Sequence, residues 1–169
     1  MYQIGEVVSY GTTGICTIVD IRMESLSRSG ARKQEYYVLR PMATPTCVTY
    51  VPTGNEALTG KMRHVMTGEE IDRMIDSVKG QSLEWIEDTR QRSDAFQKVL
   101  NGGISGELLK LISCLYLEKK SRGKGGRKFC ATDEKLLSSA ERMVSEEFSY
   151  ALQIPEKEVS AYISNRMEK

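Results

Sequence analysis

The chain has 169 residues, of which 40% are hydrophobic and 28% charged, ordinary proportions for a globular protein. No apolar run reaches the roughly 18 residues of a membrane-spanning helix, and no basic stretch followed by an apolar one marks a secretory signal at the start. The formal net charge is only +1, too weak a balance for a protein that reaches DNA by charge alone, since phosphate contacts dominate nonspecific affinity.

The four cysteines, Cys16, Cys47, Cys114 and Cys130, lie far apart with no C-x-x-C pair. That argues against a zinc site or a disulfide framework and predicts reduced thiols in the cytoplasm.

In chain order, Ile4 to Gly14 reads as a short strand and a tight turn bracketed by Gly11 and Gly14, where glycine permits the positive φ of a reversal. Ile15 to Ile21 is β-branched and predicts a half-buried strand. Ser25 to Gln34 is a polar insert and predicts a mobile hairpin loop. Glu35 to Pro41 and Cys47 to Pro52 predict two further strands, each stopped by proline. Gly54 and Gly60-Lys61 resemble a phosphate-binding loop only superficially. The spacing is one residue too long, Met62 stands where Ser or Thr is required, and a short strand follows rather than a helix, so nucleotide binding is rejected. His64, the single histidine, has no Cys, Asp or Glu at ligand spacing and predicts no metal.

From residue 67 the pattern turns helical. Thr67 and Glu70 form a capping box, ahead of an apolar stripe at Ile71, Met74, Ile75 and Val78, with Gly80 as the stop. A second helix is expected from Ser82 to Leu100, with Asn101-Gly102-Gly103 ending it. A third, from Ser105 to Lys120, carries Leu108, Leu109, Leu111, Ile112, Leu115 and Tyr116 on a broad apolar face, which puts it at the centre of a bundle. Lys119 to Lys128 follows as a glycine-rich loop with six basic residues and no acid. A fourth helix is expected behind a Thr132 cap. Pro155 suits the first turn of a fifth, which buries Val159, Tyr162 and Ile163. Strands followed by helices predict an α+β chain, with a β domain at 1–66 and a helical domain at 67–169.

The opening block, Ile4-Gly5-Glu6-Val7-Val8-Ser9-Tyr10-Gly11, with the strands that follow, resembles the CarD/CdnL family of bacterial transcription regulators. The likeness extends through Trp85-Ile86, Leu115-Tyr116-Leu117, the basic loop, Asp133-Glu134 and Ala140-Glu141, in the order found in clostridial-type members. The resemblance implies an N-terminal Tudor-like barrel that docks on the RNA polymerase β subunit by strand addition. It also implies a helical domain that meets promoter DNA at the upstream edge of the bubble.

By that resemblance Val48 and Tyr50 lie on the polymerase-facing strand. Relatives carry arginines near the positions of Glu24 and Tyr50, so the electrostatic part of the contact differs here. Trp85 matches a tryptophan that wedges into the minor groove, although Ile86-Glu87-Asp88 stands where many relatives have two arginines after it. The residue itself reads equally as partial core beside Ile86. Arg90 and Arg92 either flank the wedge or pair with Glu87 and Asp88 as surface ion pairs. Arg122, Lys124, Arg127 and Lys128 are candidate phosphate contacts, or a solvated connector. No catalytic residues, cofactor, membrane or small-molecule substrate are expected. The alternative function is a polymerase adaptor that makes no direct DNA contact.

Overall fold

A computed structural model describes residues 1–26 and 33–168. Most of the loop expected between Ser25 and Gln34 falls on residues 27–32 and lies outside the described residues. The chain divides into two compact units, Met1–Val65 and Met66–Lys169.

The first unit is a Tudor-like five-stranded antiparallel sheet with strand order β4-β3-β2-β1-β5. The strands are β1 (Val7–Tyr10), β2 (Gly14–Glu24), β3 (Gln34–Pro41), β4 (Thr49–Pro52) and β5 (Met62–His64). A single 3-10 turn, Gly11–Thr13, joins β1 to β2, with Gly11 at φ 46° and Gly14 at φ 85°. Both values favour glycine, because a Cβ there meets the following carbonyl oxygen. The β2–β3 register slips between Ile18 and Asp20, a bulge of the kind that bends and twists a strand. Val8, Cys16, Ile18, Tyr37, Leu39, Val51 and Met62 fill the core. Sequence periodicity had no signal for α1 (Glu56–Thr59), a single turn capped by Asn55, whose side chain accepts from the Leu58 N–H.

The second unit is helical: α2 (Gly68–Val78), α3 (Thr89–Gly102), α4 (Ser105–Lys124), α5 (Ala131–Leu152) and α6 (Glu156–Glu168). The Thr67 hydroxyl accepts from the Glu70 N–H and the Glu70 carboxylate accepts from the Thr67 N–H, closing the capping box. Ile71, Ile75, Phe96, Leu108, Leu111, Leu115, Leu137, Ala140, Phe148 and Val159 are among the buried core.

Four expectations are corrected here. Thr132 does not cap α5: the helix begins at Ala131 with Cys130 in the cap position and no side-chain cap hydrogen bond, so Thr132 lies in its first turn. The helix expected from Ser82 begins seven residues later, because the Asp88 carboxylate accepts from the Gln91 N–H and fixes the first turn there. Trp85 therefore precedes the helix instead of riding on it. The basic loop is half helix: α4 continues to Lys124, supported by the Glu118–Arg122 pair one turn apart. Tyr116 leaves the core face of α4 and is 52% exposed, its hydroxyl donating to Glu141. No helix among the described residues is long and apolar enough to cross a membrane.

Candidate functional site

The first candidate surface is the β4 end of the sheet. Thr53 N–H donates to the Glu35 carbonyl, and the register pairs Val51 with Tyr37 and Thr49 with Leu39. Hydrogen-bonded and non-bonded pairs alternate in an antiparallel ladder. Thr49 and Val51 therefore turn their backbone groups toward β3, while Tyr50 turns its N–H and C=O toward the open edge. Pro52, the next outward residue, has no donor and ends the usable edge.

One face of the sheet then gathers the residues of interest. Asp20, Val38 and Tyr50 lie in one cross-strand row, and Arg22, Tyr36 and Pro52 in the next. The Arg22 guanidinium donates to the Tyr50 hydroxyl at 2.8 Å and lies 5.7 Å from its ring centre. It also pairs with Glu24 at 3.1 Å and with Asp20 at 3.5 Å. Tyr36 meets Tyr50 edge to face, and Val48, just ahead of β4, is 45% exposed. Glu24 and Tyr50, 26 positions apart in sequence, are thus bridged by Arg22. Sequence reasoning missed Arg22. The available signal was its place between Asp20 and Glu24 at the two-residue period of a strand, which puts all three side chains on one face.

The second candidate surface is the end of α4. Lys124, Arg127 and Lys128 are exposed, and none of them has an ion-pair partner among the described residues. The Gly125 and Arg127 N–H groups both return to the Arg122 carbonyl, a tight turn completed by Gly126 at φ 69°. The neighbouring cations are differently engaged. Lys119 pairs with Glu134 at 2.6 Å, and Arg122 pairs with Glu118 at 2.6 Å. Arg90, near the start of α3, is exposed.

Arg92 is not a surface residue. It is 2% exposed, and its Nε and Nη2 donate to both Asp133 oxygens at 3.1 and 2.9 Å. Its Nη1 donates to the Ile86 and Glu87 carbonyls at 2.7 and 3.1 Å. An arginine buried and paired in this way is out of reach of a phosphate, so Arg92 is withdrawn as a DNA contact. It is a structural pin that ties the segment before α3 to the first turn of α5. Nor does it form the surface ion pair considered as the alternative. Glu87 receives it through a backbone carbonyl, and the Asp88 side chain is spent on the helix cap.

Trp85 is half-buried and packs on the helical core. The Arg92 guanidinium lies 4.1 Å from its ring centre, the Arg122 guanidinium 5.3 Å, and Phe96 meets it at an edge. Its Nε1 is buried and has no hydrogen-bond partner among the described residues. In this conformation the indole is a stowed side chain rather than a projecting wedge. The two arginines hold it unequally. Arg92 is locked by four hydrogen bonds in the interior. Arg122 is held by a partly buried ion pair, of a kind worth about 0.2–1 kcal/mol where solvent reaches it, and a cation–π contact of about 0.5–2 kcal/mol.

Two titratable groups stand out near these elements. Cys130 sits at the N-terminus of α5, where the Thr132 and Asp133 N–H groups donate to its sulfur and hold its pKa below that of an ordinary thiol. Burial pushes the Cys114 thiol up. His64 stacks at a tilt on Tyr2. Among the described residues no group of three His, Cys, Asp or Glu side chains is placed to hold a metal ion.

Compared with known proteins, residues 2–66 match the family model of the CarD-like/TRCF RID domain. No curated protein matches the chain. The N-terminal unit belongs to this family of RNA polymerase-interacting domains.

Proposed function

We propose that this chain, through its CarD-like/TRCF RID domain, acts in the cytoplasm as a noncatalytic regulator of transcription. The sheet docks on the polymerase β subunit by pairing a strand with the open edge of β4. The helical unit then contacts promoter DNA at the upstream edge of the bubble. A ligand that binds the open complex better than the closed one shifts the equilibrium toward open. The reading is carried by the family match over residues 2–66. The open β4 edge supports the docking mode, since strand addition needs outward backbone groups. For DNA, the support is the exposed set of Arg90, Lys124, Arg127 and Lys128, without ion-pair partners among the described residues. With a net charge of +1, modest DNA affinity suffices because docking raises the effective concentration.

A second reading, an adaptor without DNA contact, is favoured by one observation: Trp85 is stowed against two guanidinium groups. The two readings separate in one experiment with purified polymerase. Val48→Pro removes an outward-facing donor without touching the β3–β4 ladder, and it should abolish capture of the chain by a β-subunit fragment. Arg127→Glu with Lys128→Glu should leave capture intact and shorten open-complex lifetime. Full capture by the Val48→Pro variant would sink the docking mode. An unchanged lifetime with the charge reversals would favour the adaptor.

A further inference from the structure

We infer that Arg122 is the positioning residue of Trp85: in the free protein it holds the indole against the helical unit, and a phosphate that captures Arg122 uncovers the ring. The inference rests on the DNA-contacting half of the proposed function and names how that contact is regulated.

Three observations carry it. First, the Arg122 guanidinium has two engagements that a phosphate can compete with, the 5.3 Å approach to the Trp85 ring and the 2.6 Å pair with Glu118. Its side chain is 28% exposed, so an incoming anion reaches it. Arg92, at 2% exposure and held by four hydrogen bonds, stays in place and cannot play this part. Second, the turn that follows α4 folds back on Arg122, with the Gly125 and Arg127 N–H groups donating to its carbonyl. A polyanion drawn in by Lys124, Arg127 and Lys128 therefore arrives beside Arg122. Phosphate oxygens match the guanidinium fork and offer stronger, charge-assisted bonds than a ring face does. Third, the stowed Trp85 keeps its Nε1 buried without a partner among the described residues. A buried donor left unpaired is a cost of the stowed state, and that cost lowers the barrier to leaving it.

The chain has one tryptophan, so its fluorescence reports this residue alone. The full chain is titrated with sodium polyphosphate, which offers phosphate without bases, and acrylamide quenching is read at each point. In the wild type the quenching constant should rise about twofold at saturation, as the weak contacts over the ring are given up. Arg122→Lys keeps the charge and loses the planar stacking. It should start near the raised value and change little on adding polyphosphate. Glu118→Gln should lie between the two before titration. Quenching that stays constant in the wild type at saturating polyphosphate overturns the inference, and so does an Arg122→Lys variant indistinguishable from wild type. A parallel anisotropy titration with a labelled forked duplex tests the underlying reading separately. Loss of duplex binding with the quenching rise intact refutes the DNA reading, while duplex and polyphosphate binding without any change in quenching refutes only the positioning role.

Discussion

Asp133→Leu should cost the helical unit much of its stability. In the native chain the Asp133 carboxylate takes two hydrogen bonds from Arg92, and both side chains are almost fully buried, at 2% and 3% exposure. Removing the acid leaves the guanidinium in the interior with no counter-charge. Breaking a buried pair in this way costs about 3–5 kcal/mol. In a domain of about 100 residues each kcal/mol moves the midpoint by about 4–8 °C, so a loss of about 12–40 °C follows. The assay is thermal and urea unfolding of the full chain followed by Trp85 emission, which reports the helical unit because the only tryptophan lies there. The double variant Arg92→Met with Asp133→Leu removes the stranded charge and should regain most of the loss. It should fall short of wild type by about 1–3 kcal/mol, because the Ile86 and Glu87 carbonyls lose their donor. A shift below about 1 kcal/mol for Asp133→Leu would refute the account. So would a double variant no more stable than the single one.

Three further outcomes are expected. Replacing Lys124, Arg127 and Lys128 together with alanine should lower the slope of log affinity against log salt by about two to three for a duplex DNA ligand, at about 0.9 for each phosphate no longer neutralised; an unchanged slope would mean that these cations do not meet phosphate. Glu70 is held below its usual pKa first by the Thr67 N–H and then by the Thr67 hydroxyl, and Asp76 by hydrogen bonding to Arg166. Depressed carboxylates stabilise the fold fully above their unfolded values near 4 and lose that contribution as pH falls through the folded ones, so the urea midpoint of the helical unit should drop below about pH 4, less steeply in Glu70→Gln. Cys130, its thiolate favoured by two backbone N–H groups, should be alkylated by iodoacetamide at a pH below the ordinary thiol range near 8.5, with Cys114 protected until urea is added; equal rates for the two in the folded chain would contradict the placement.

Much of the fold was legible because it rests on local rules. Thr67 and Glu70 announced α2 through a cap that depends on residues three apart. The β-branched run from Ile15 to Ile21 fell inside β2, and the prolines at 41 and 52 closed β3 and β4. The start of α3 was misread because periodicity alone cannot choose between Ser82 and Asp88. Asp88 won once its carboxylate had the Gln91 N–H to accept from and Arg92 drew the preceding carbonyls inward. On the candidate surfaces the sequence misread where some of the side chains lie. Arg92 looks like a surface cation in any window of its own helix, since its partner Asp133 is 41 residues away. Arg22 was overlooked for the converse reason, since Tyr50 becomes its neighbour only through two strand pairings.

The sequence by itself determined the class of the chain, the order of strands and helices, the capping box of α2, and the likeness of its opening block to a polymerase-interacting domain. All of these follow from residue types within a few positions of one another. Only the tertiary structure decided which cations stay exposed, that β4 lies at an edge of the sheet, and that Trp85 lies under Arg122 instead of in solvent. Those outcomes depend on pairings across tens of residues, where burial and counter-charge, not local propensity, set what each side chain can do.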